Sequence, residues 1–261
     1  MSLINLLEIS SLPCVITLVG AGGKTSLMFE LANDFNLSGR KTITTTTTKI
    51  FVPTPNQAAS VKLTRNEGWL ESAAIELAAC GNVCIGKSID TASNKLLGIN
   101  DDEVFLASRI ADITIVEGDG ACGFSVKGTE AWEPRIPRFT DIVIYVMGLD
   151  CIGKPANELT VHKPSKFLKV TSLNENDNIS PASLAILGTH PDAGQKNVPA
   201  GSLFYVLLNK SDTLENIKQA HELGLMVSAQ GGERLNGVII SGQYKSGRIS
   251  SKVLPQSDCQ D

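Results

Sequence analysis

Basic residues are outnumbered in this chain: 23 Lys and Arg stand against 27 Asp and Glu, a net charge of −4 over 261 residues. That balance excludes broad electrostatic capture of nucleic acid, which needs a basic surface. The lysines at 154, 163, 166 and 169 are a local exception and read as a solvated face. Long apolar runs are missing too. None approaches the roughly 20 residues a membrane helix needs. No Lys or Arg precedes Lys24, so the start lacks the positive segment of a secretory signal. The expectation is a cytoplasmic protein without membrane contact. Histidine is scarce: His162, His190 and His221 share no metal-ligand spacing. The six cysteines, Cys14, Cys80, Cys84, Cys122, Cys151 and Cys259, form no CxxC pair. A zinc framework is not expected, and these thiols read as small, reduced, apolar side chains.

What is there is a composition of 42% hydrophobic and 19% charged residues, ordinary for a folded chain long enough to bury a large core. Short apolar runs alternate with amphipathic stretches. Residues 14–19 form a continuous apolar run ending in glycines, the pattern of a strand buried on both faces. Leu27, Met28, Leu31, Ala32 and Phe35 then fall at helical spacing. Residues 42–47 are β-branched throughout and predict a second strand. Residues 67–79 predict a helix with Leu70, Ala73, Ala74 and Leu77 on one stripe. Residues 83–86 and 95–99 predict two short strands that pair as a hairpin. A helix is expected at 101–109, with Asp101 and Asp102 at its positive end. Strands are expected at 113–116, 142–146 and 203–208, then a helix at 212–223 and last strands at 226–228 and 238–241. Strands alternating with helices predict an α/β fold, a mostly parallel sheet with helices on both faces in a three-layer sandwich. One domain is expected over residues 1–250. Its stretch 149–201, rich in Pro, Asn and Gly, reads as an insertion over the sheet with short helices at 163–169 and 180–187. Residues 251–261 read as a flexible tail.

Between the first strand and the first helix runs Gly20-Ala21-Gly22-Gly23-Lys24-Thr25, followed by Ser26. Glycines let successive backbone N–H groups converge on phosphate oxygens without a Cβ in the way, and the helix N-terminus adds partial positive charge. Lys24 would reach the β- and γ-phosphates of a nucleotide, and the Thr25 hydroxyl would ligate Mg²⁺. Position 18 is Leu where the full P-loop spacing has glycine. The loop is therefore a shortened G-x-x-G-K-T, resembling the version in ATP-dependent Mur-type ligases. The bland alternative is a tight strand–helix turn.

Three later segments fall at strand ends, where ligands of parallel sheets gather. Thr47 and Thr48, before Lys49, are either simple β-formers or hydroxyls facing a γ-phosphate or its Mg²⁺. Glu117 and Asp119 follow the apolar run 113–116. They are either acids in a solvated turn or a metal-holding Glu117 with an Asp119 that orients the attacking water. Asn209-Lys210-Ser211-Asp212 follows the strand at 203–208 and resembles the N-K-x-D guanine-reading segment of GTPases. Ser211 or Asp212 would equally cap the next helix.

Taken together, these stretches resemble the YqeC family, the accessory proteins of selenium-dependent molybdenum hydroxylases. The matching pieces are VGAGGKTSLM at 19–28, TTTTKIF at 45–51, IVEGDGA at 115–121, EPRIP at 133–137, VHKP at 161–164 and LLNKSD at 207–212. Two departures stand out. The segment Val126-Lys127-Gly128-Thr129 lacks a proline expected before Trp132, and Lys163 stands where the family often places arginine, which contacts anions bidentately. The resemblance implies a P-loop NTPase-like fold and a role in maturing a molybdenum hydroxylase. The leading expectation is Mg²⁺-dependent binding and hydrolysis of GTP or ATP, with Lys24, Glu117 and Asp119 catalytic and homodimerisation plausible. The alternatives are an ATP-dependent ligase or kinase on a small acceptor, and a nucleotide-gated binding chaperone with little turnover.

Overall fold

The computed structural model describes residues 3–244 and 247–253. A 3-10 turn over Leu3–Leu6 precedes β1 (Cys14–Gly20), and α1 (Lys24–Leu37) follows directly. Strands β2 (Thr42–Thr46), β3 (Lys49–Phe51) and β4 (Val61–Leu63) lead into α2 (Trp69–Cys80). Next come β5 (Asn82–Gly86), β6 (Ile89–Asp90), β7 (Lys95–Leu97), α3 (Asp101–Ser108) and β8 (Ile113–Glu117). The middle of the chain holds β9 (Val126–Lys127), β10 (Ile142–Gly148), β11 (Val161–His162), α4 (Pro164–Thr171) and α5 (Pro181–Thr189). Strand β12 (Leu203–Asn209), α6 (Leu214–Gln230), β13 (Gly237–Tyr244) and β14 (Gly247–Val253) complete it.

Nine strands form one sheet in the order β14-β13-β12-β10-β1-β8-β2-β5-β4. Every neighbouring pair is parallel except β13 with β14. Period-2 alternation assigns the faces. Ile142, Ile144 and Val146 of β10 pack with Leu27, Leu31 and Phe35 of α1 on one side. Val143, Tyr145 and Met147 of the same strand pack with Phe167, Leu184, Leu187 and Leu223 from α4, α5 and α6 on the other. That second face continues over β2, β5 and β8, where Ala73 and Leu77 of α2 and Val104 and Ala107 of α3 meet Ile43, Val83 and Val116. Three layers result, the α/β arrangement expected from the alternation. α3 starts on a reciprocal capping box, Asn100 with Glu103. Among the described residues no helix is long and apolar enough to cross a membrane.

The chain departs from the sequence expectation in several places. Residues 83–86 and 95–99 do not pair as a hairpin. β5 lies inside the main sheet between β2 and β4, while β7 pairs antiparallel with β3 and β6 in a separate three-stranded ribbon. Residues 226–228, expected as a strand, are the last turns of α6. Ala220, Leu223 and Val227 are all buried at helical spacing, and the neighbouring Leu225 and Met226 are exposed. β14 has no counterpart in the expected elements, and its residues 251–253 fall where a tail was expected to begin. The rest of that expected tail, with Cys259, lies outside the described residues. Burial raises the Cys14, Cys84 and Cys151 thiols to about 12, so they act as small apolar groups.

Candidate functional site

The glycine loop leaves β1 at its carboxyl end, between β10 and β8. Gly20, Gly22 and Gly23 have φ of +91°, +91° and +107°, a region L side chains rarely adopt. A Cβ on Gly22 would stand 2.3 Å from the Gly148 nitrogen, so the loop can lie against β10 only without side chains. Three of the loop amides before the helix are already used. Gly20 N donates to Asp119 Oδ2 at 3.1 Å, Ala21 N to the Val146 carbonyl at 2.9 Å and Gly22 N to the Phe124 carbonyl at 2.9 Å. α1 has Gly23 as its N-cap without a side-chain cap, which leaves its first-turn amides without intrahelical partners. Gly22, Gly23, Lys24, Thr25 and Ser26 line a cavity of about 330 Å³. Gly20 and Ala21 are not in its lining, so the cavity meets the motif only from Gly22 onward.

Two carboxylates stand beneath the loop. Glu117 closes β8, and its Oε2 accepts from Thr25 Oγ1 at 2.7 Å. Its Oε1 lies 3.9 Å from Lys24 Nζ. Burial pushes the Glu117 carboxyl above its usual range, against the opposing pull of Lys24 and Thr25. Lys24 is itself buried, donates to the Gly20 carbonyl at 2.5 Å and lies 3.2 Å from Asp119 Oδ1. The other Asp119 oxygen takes Gly20 N and also Lys127 Nζ at 3.0 Å. Asp119 is thus enclosed by two ammonium groups and an amide.

Lys127 is the functional-site residue that sequence reasoning missed. It is fully buried and donates to Asp119, to the Gly120 carbonyl at 2.8 Å and to Glu133 Oε2 at 2.8 Å. Lys163 Nζ lies 3.4 Å from the same Glu133 oxygen. Nothing in a single lysine of a short polar segment signals burial, because lysines are ordinarily exposed.

The threonine cluster braces strands. Thr46 Oγ1 donates to the Glu117 carbonyl at 2.9 Å, and Thr47 Oγ1 donates to the Arg135 carbonyl at 2.8 Å. Thr47 and Thr48 line a different cavity from that of Lys24 and Thr25. Asn209, 187 residues from the loop, donates through Nδ2 to the Gly22 carbonyl at 2.7 Å. Lys210, at φ +64°, donates to Ser125 Oγ at 2.7 Å and to Asp150 Oδ2 at 3.0 Å. Lys210 lines the loop cavity and also a contiguous one of about 310 Å³, which includes Phe124, Ser125, Asp150 and Lys154. Asp212 is exposed and is not in the lining of either. Burial pushes the Asp150 carboxyl up, but hydrogen bonds from Ser125 and Lys210 outweigh it and hold the group below its usual range.

The family model described as YqeC protein matches residues 16–165. A relative from Escherichia coli (strain K12), carrying the name Uncharacterized protein YqeC, is 33% identical over 213 residues, which cover 81% of this chain and 81% of that one. Among solved structures, the signal recognition particle 54 kDa protein from Aeropyrum pernix K1, crystallised in complex with GDP, aligns over 94% of this chain at 15% identity and a TM-score of 0.40. This chain spans 45% of that structure's length.

Proposed function

The chain belongs to the YqeC family, and from that premise we propose that it binds a Mg²⁺–nucleoside triphosphate in the loop cavity. One observation carries the reading: the Thr25 hydroxyl and the Glu117 carboxylate meet at 2.7 Å beside Lys24 and the uncapped start of α1. Open helix amides and an ammonium suit phosphate oxygens. A hydroxyl paired with a carboxylate supplies two hard oxygen donors, the partial set that Mg²⁺ takes when phosphates and water complete its shell. Bound there, Mg²⁺ would neutralise charge on the phosphates. The contiguous cavity at Phe124, Asp150 and Lys210 would take the base, with the Asn209–Asp212 segment supporting guanine over adenine. The carboxylate lining that cavity is Asp150 rather than Asp212.

Asp119 accepts from Lys127 and Gly20 and pairs with Lys24, which suits a positioning residue better than a group that orients water. That favours slow intrinsic turnover, a nucleotide-gated cycle in which the accessory role toward a selenium-dependent molybdenum hydroxylase is carried by binding and release.

Thermal shift with Mg²⁺ and each nucleotide tests the reading. At about 100 times Kd, binding adds about 2.7 kcal/mol, roughly 5–10 °C in Tm for a chain of this size. GTP should shift Tm more than ATP, and Lys24→Ala should abolish both shifts. Retained affinity in that variant would reduce the loop to a turn. Asp150→Asn and Asp212→Asn, compared for GTP against xanthosine triphosphate, identify which carboxylate reads the base. Light scattering with and without Mg²⁺–GTP reports homodimerisation.

A further inference from the structure

A third cavity, of about 390 Å³, opens at the ends of β2 and β5, where Thr47, Lys49, Lys87, Trp132, Glu133 and Arg135 line it. Lys49 lines the loop cavity as well, so the two share a wall. The floor is backbone tied between separate segments. Thr47 Oγ1 donates to the Arg135 carbonyl at 2.8 Å, and the Arg135 amide donates to the Gly118 carbonyl at 2.9 Å. The Lys87 amide donates to the Leu97 carbonyl at 2.8 Å, and the Gly98 amide to the Thr48 carbonyl at 2.6 Å. A Cβ on Gly98 would stand 2.4 Å from the Thr47 carbonyl carbon, so the walls close on each other there. The cavity is preformed, which lowers the ordering cost of binding.

Its charge is unbalanced. Lys49, Lys87 and Arg135 are exposed, and among the described residues none of the three side chains comes within 4.0 Å of a carboxylate. The Lys49 charge does reach the Asp90 carboxyl, which the Ser93 hydroxyl and, more weakly, Lys49 hold below its usual range. The acid in the lining, Glu133, is held by Lys127 at 2.8 Å and faces Lys163 at 3.4 Å. Exposed cations are ordinarily a solvated face. These three differ in coming from three chain segments to line one built cavity. Beside them Trp132 is 63% exposed, a large flat apolar surface with the Lys163 ammonium 5.5 Å from its ring centroid on one side. Converging cations select an oxyanion, and an indole face selects a ring.

We propose that this cavity is a second ligand site, for a small flat-ring molecule bearing an oxyanion, seated next to the terminal phosphate of the nucleotide. Its place beside that phosphate rests on the nucleotide reading; its own recognition chemistry does not. The protein would then bring a nucleotide and an anionic cosubstrate together at the ends of β8 and β2.

The test uses 1-naphthyl phosphate and 1-naphthoate as probes, with 1-naphthol and inorganic phosphate as the half-ligands. Binding is followed by tryptophan quenching and calorimetry on the full chain, with and without saturating Mg²⁺ and a non-hydrolysable GTP analogue. Saturable binding of an anionic naphthyl probe is expected in both conditions, with each half-ligand at least about tenfold weaker. Lys87→Ala with Arg135→Ala should weaken the probe about tenfold or more while nucleotide affinity stays within about twofold. Trp132→Phe should remove most of the quenching. The proposal is overturned if neither anionic probe binds saturably, if the double variant binds as well as the parent, or if nucleotide displaces the probe. Probe binding that depends on Arg135 in a chain that binds no nucleotide would support this site and sink the nucleotide reading instead.

Discussion

Lys127 and Arg135 lie on the same excursion between β8 and β10, and their charges are handled in opposite ways. Lys127 is fully buried, with Asp119, Glu133 and the Gly120 carbonyl each within 3.0 Å of its ammonium. Those are three acceptors for three N–H donors, which offsets the desolvation of a buried charge. Arg135 has a pinned backbone and an exposed guanidinium with no ion pair among the described residues. Charge that holds the ground under the glycine loop is paired and dry, whereas charge around the neighbouring cavity is unpaired and wet. The difference separates framework from ligand contact more cleanly than residue type does.

The largest effect should come from Lys127→Met. Removing one member of a buried ion network leaves Asp119 to Lys24 and the Gly20 amide and Glu133 to the more distant Lys163. It costs up to about 3–5 kcal/mol, a fall of roughly 6–20 °C in Tm. A loss under about 1 kcal/mol would break the comparison, because Lys127 would then be no framework residue. Glu133→Gln should cost about 1.5–3 kcal/mol at neutral pH, with a distinct pH signature. Burial pushes the Glu133 carboxyl up, but the Lys127 hydrogen bond and charge, with Lys163, outweigh this and hold it below the usual range. Its stabilising contribution is therefore full above the unfolded-state value and lost as pH falls through the lower folded value. Urea melts at descending pH should show a shallower acid loss in Glu133→Gln than in the parent; parallel curves would place the acid sensitivity elsewhere. The smallest effect is expected from Arg135→Ala and Lys87→Ala, each within about 0.5 kcal/mol of the parent in the same melts. A larger loss would mean that these side chains support the fold, and the contrast with Lys127 would blur.

Much of the architecture was legible because it is written in contiguous residues. The apolar run into Gly20-Ala21-Gly22-Gly23-Lys24-Thr25 sets strand, loop and helix by local rules, and β1 and α1 fall where the pattern puts them. The run at 113–116 likewise carries Glu117 to the end of β8. Short apolar pieces were harder. Residues 226–228 have the composition of a strand, and only the buried stripe with Ala220 and Leu223 makes them helix. β5 and β7 are close in sequence, yet they belong to different sheets because each finds a better partner elsewhere in the chain.

The sequence by itself determined the strand–loop–helix unit and placed the Thr25 hydroxyl at the start of α1 and the Glu117 carboxylate at the end of β8, since both follow from short-range pattern and strand direction. Tertiary structure decided what the charges do there. It enclosed Asp119 between Lys24, Lys127 and the Gly20 amide, and brought Asn209 under Gly22. It also left Lys49, Lys87 and Arg135 around a cavity whose lining acid, Glu133, is held by Lys127 instead. Burial and pairing depend on neighbours distant in the chain, and an isolated lysine in a sequence has the same chemistry whether it ends beneath a loop or in solvent.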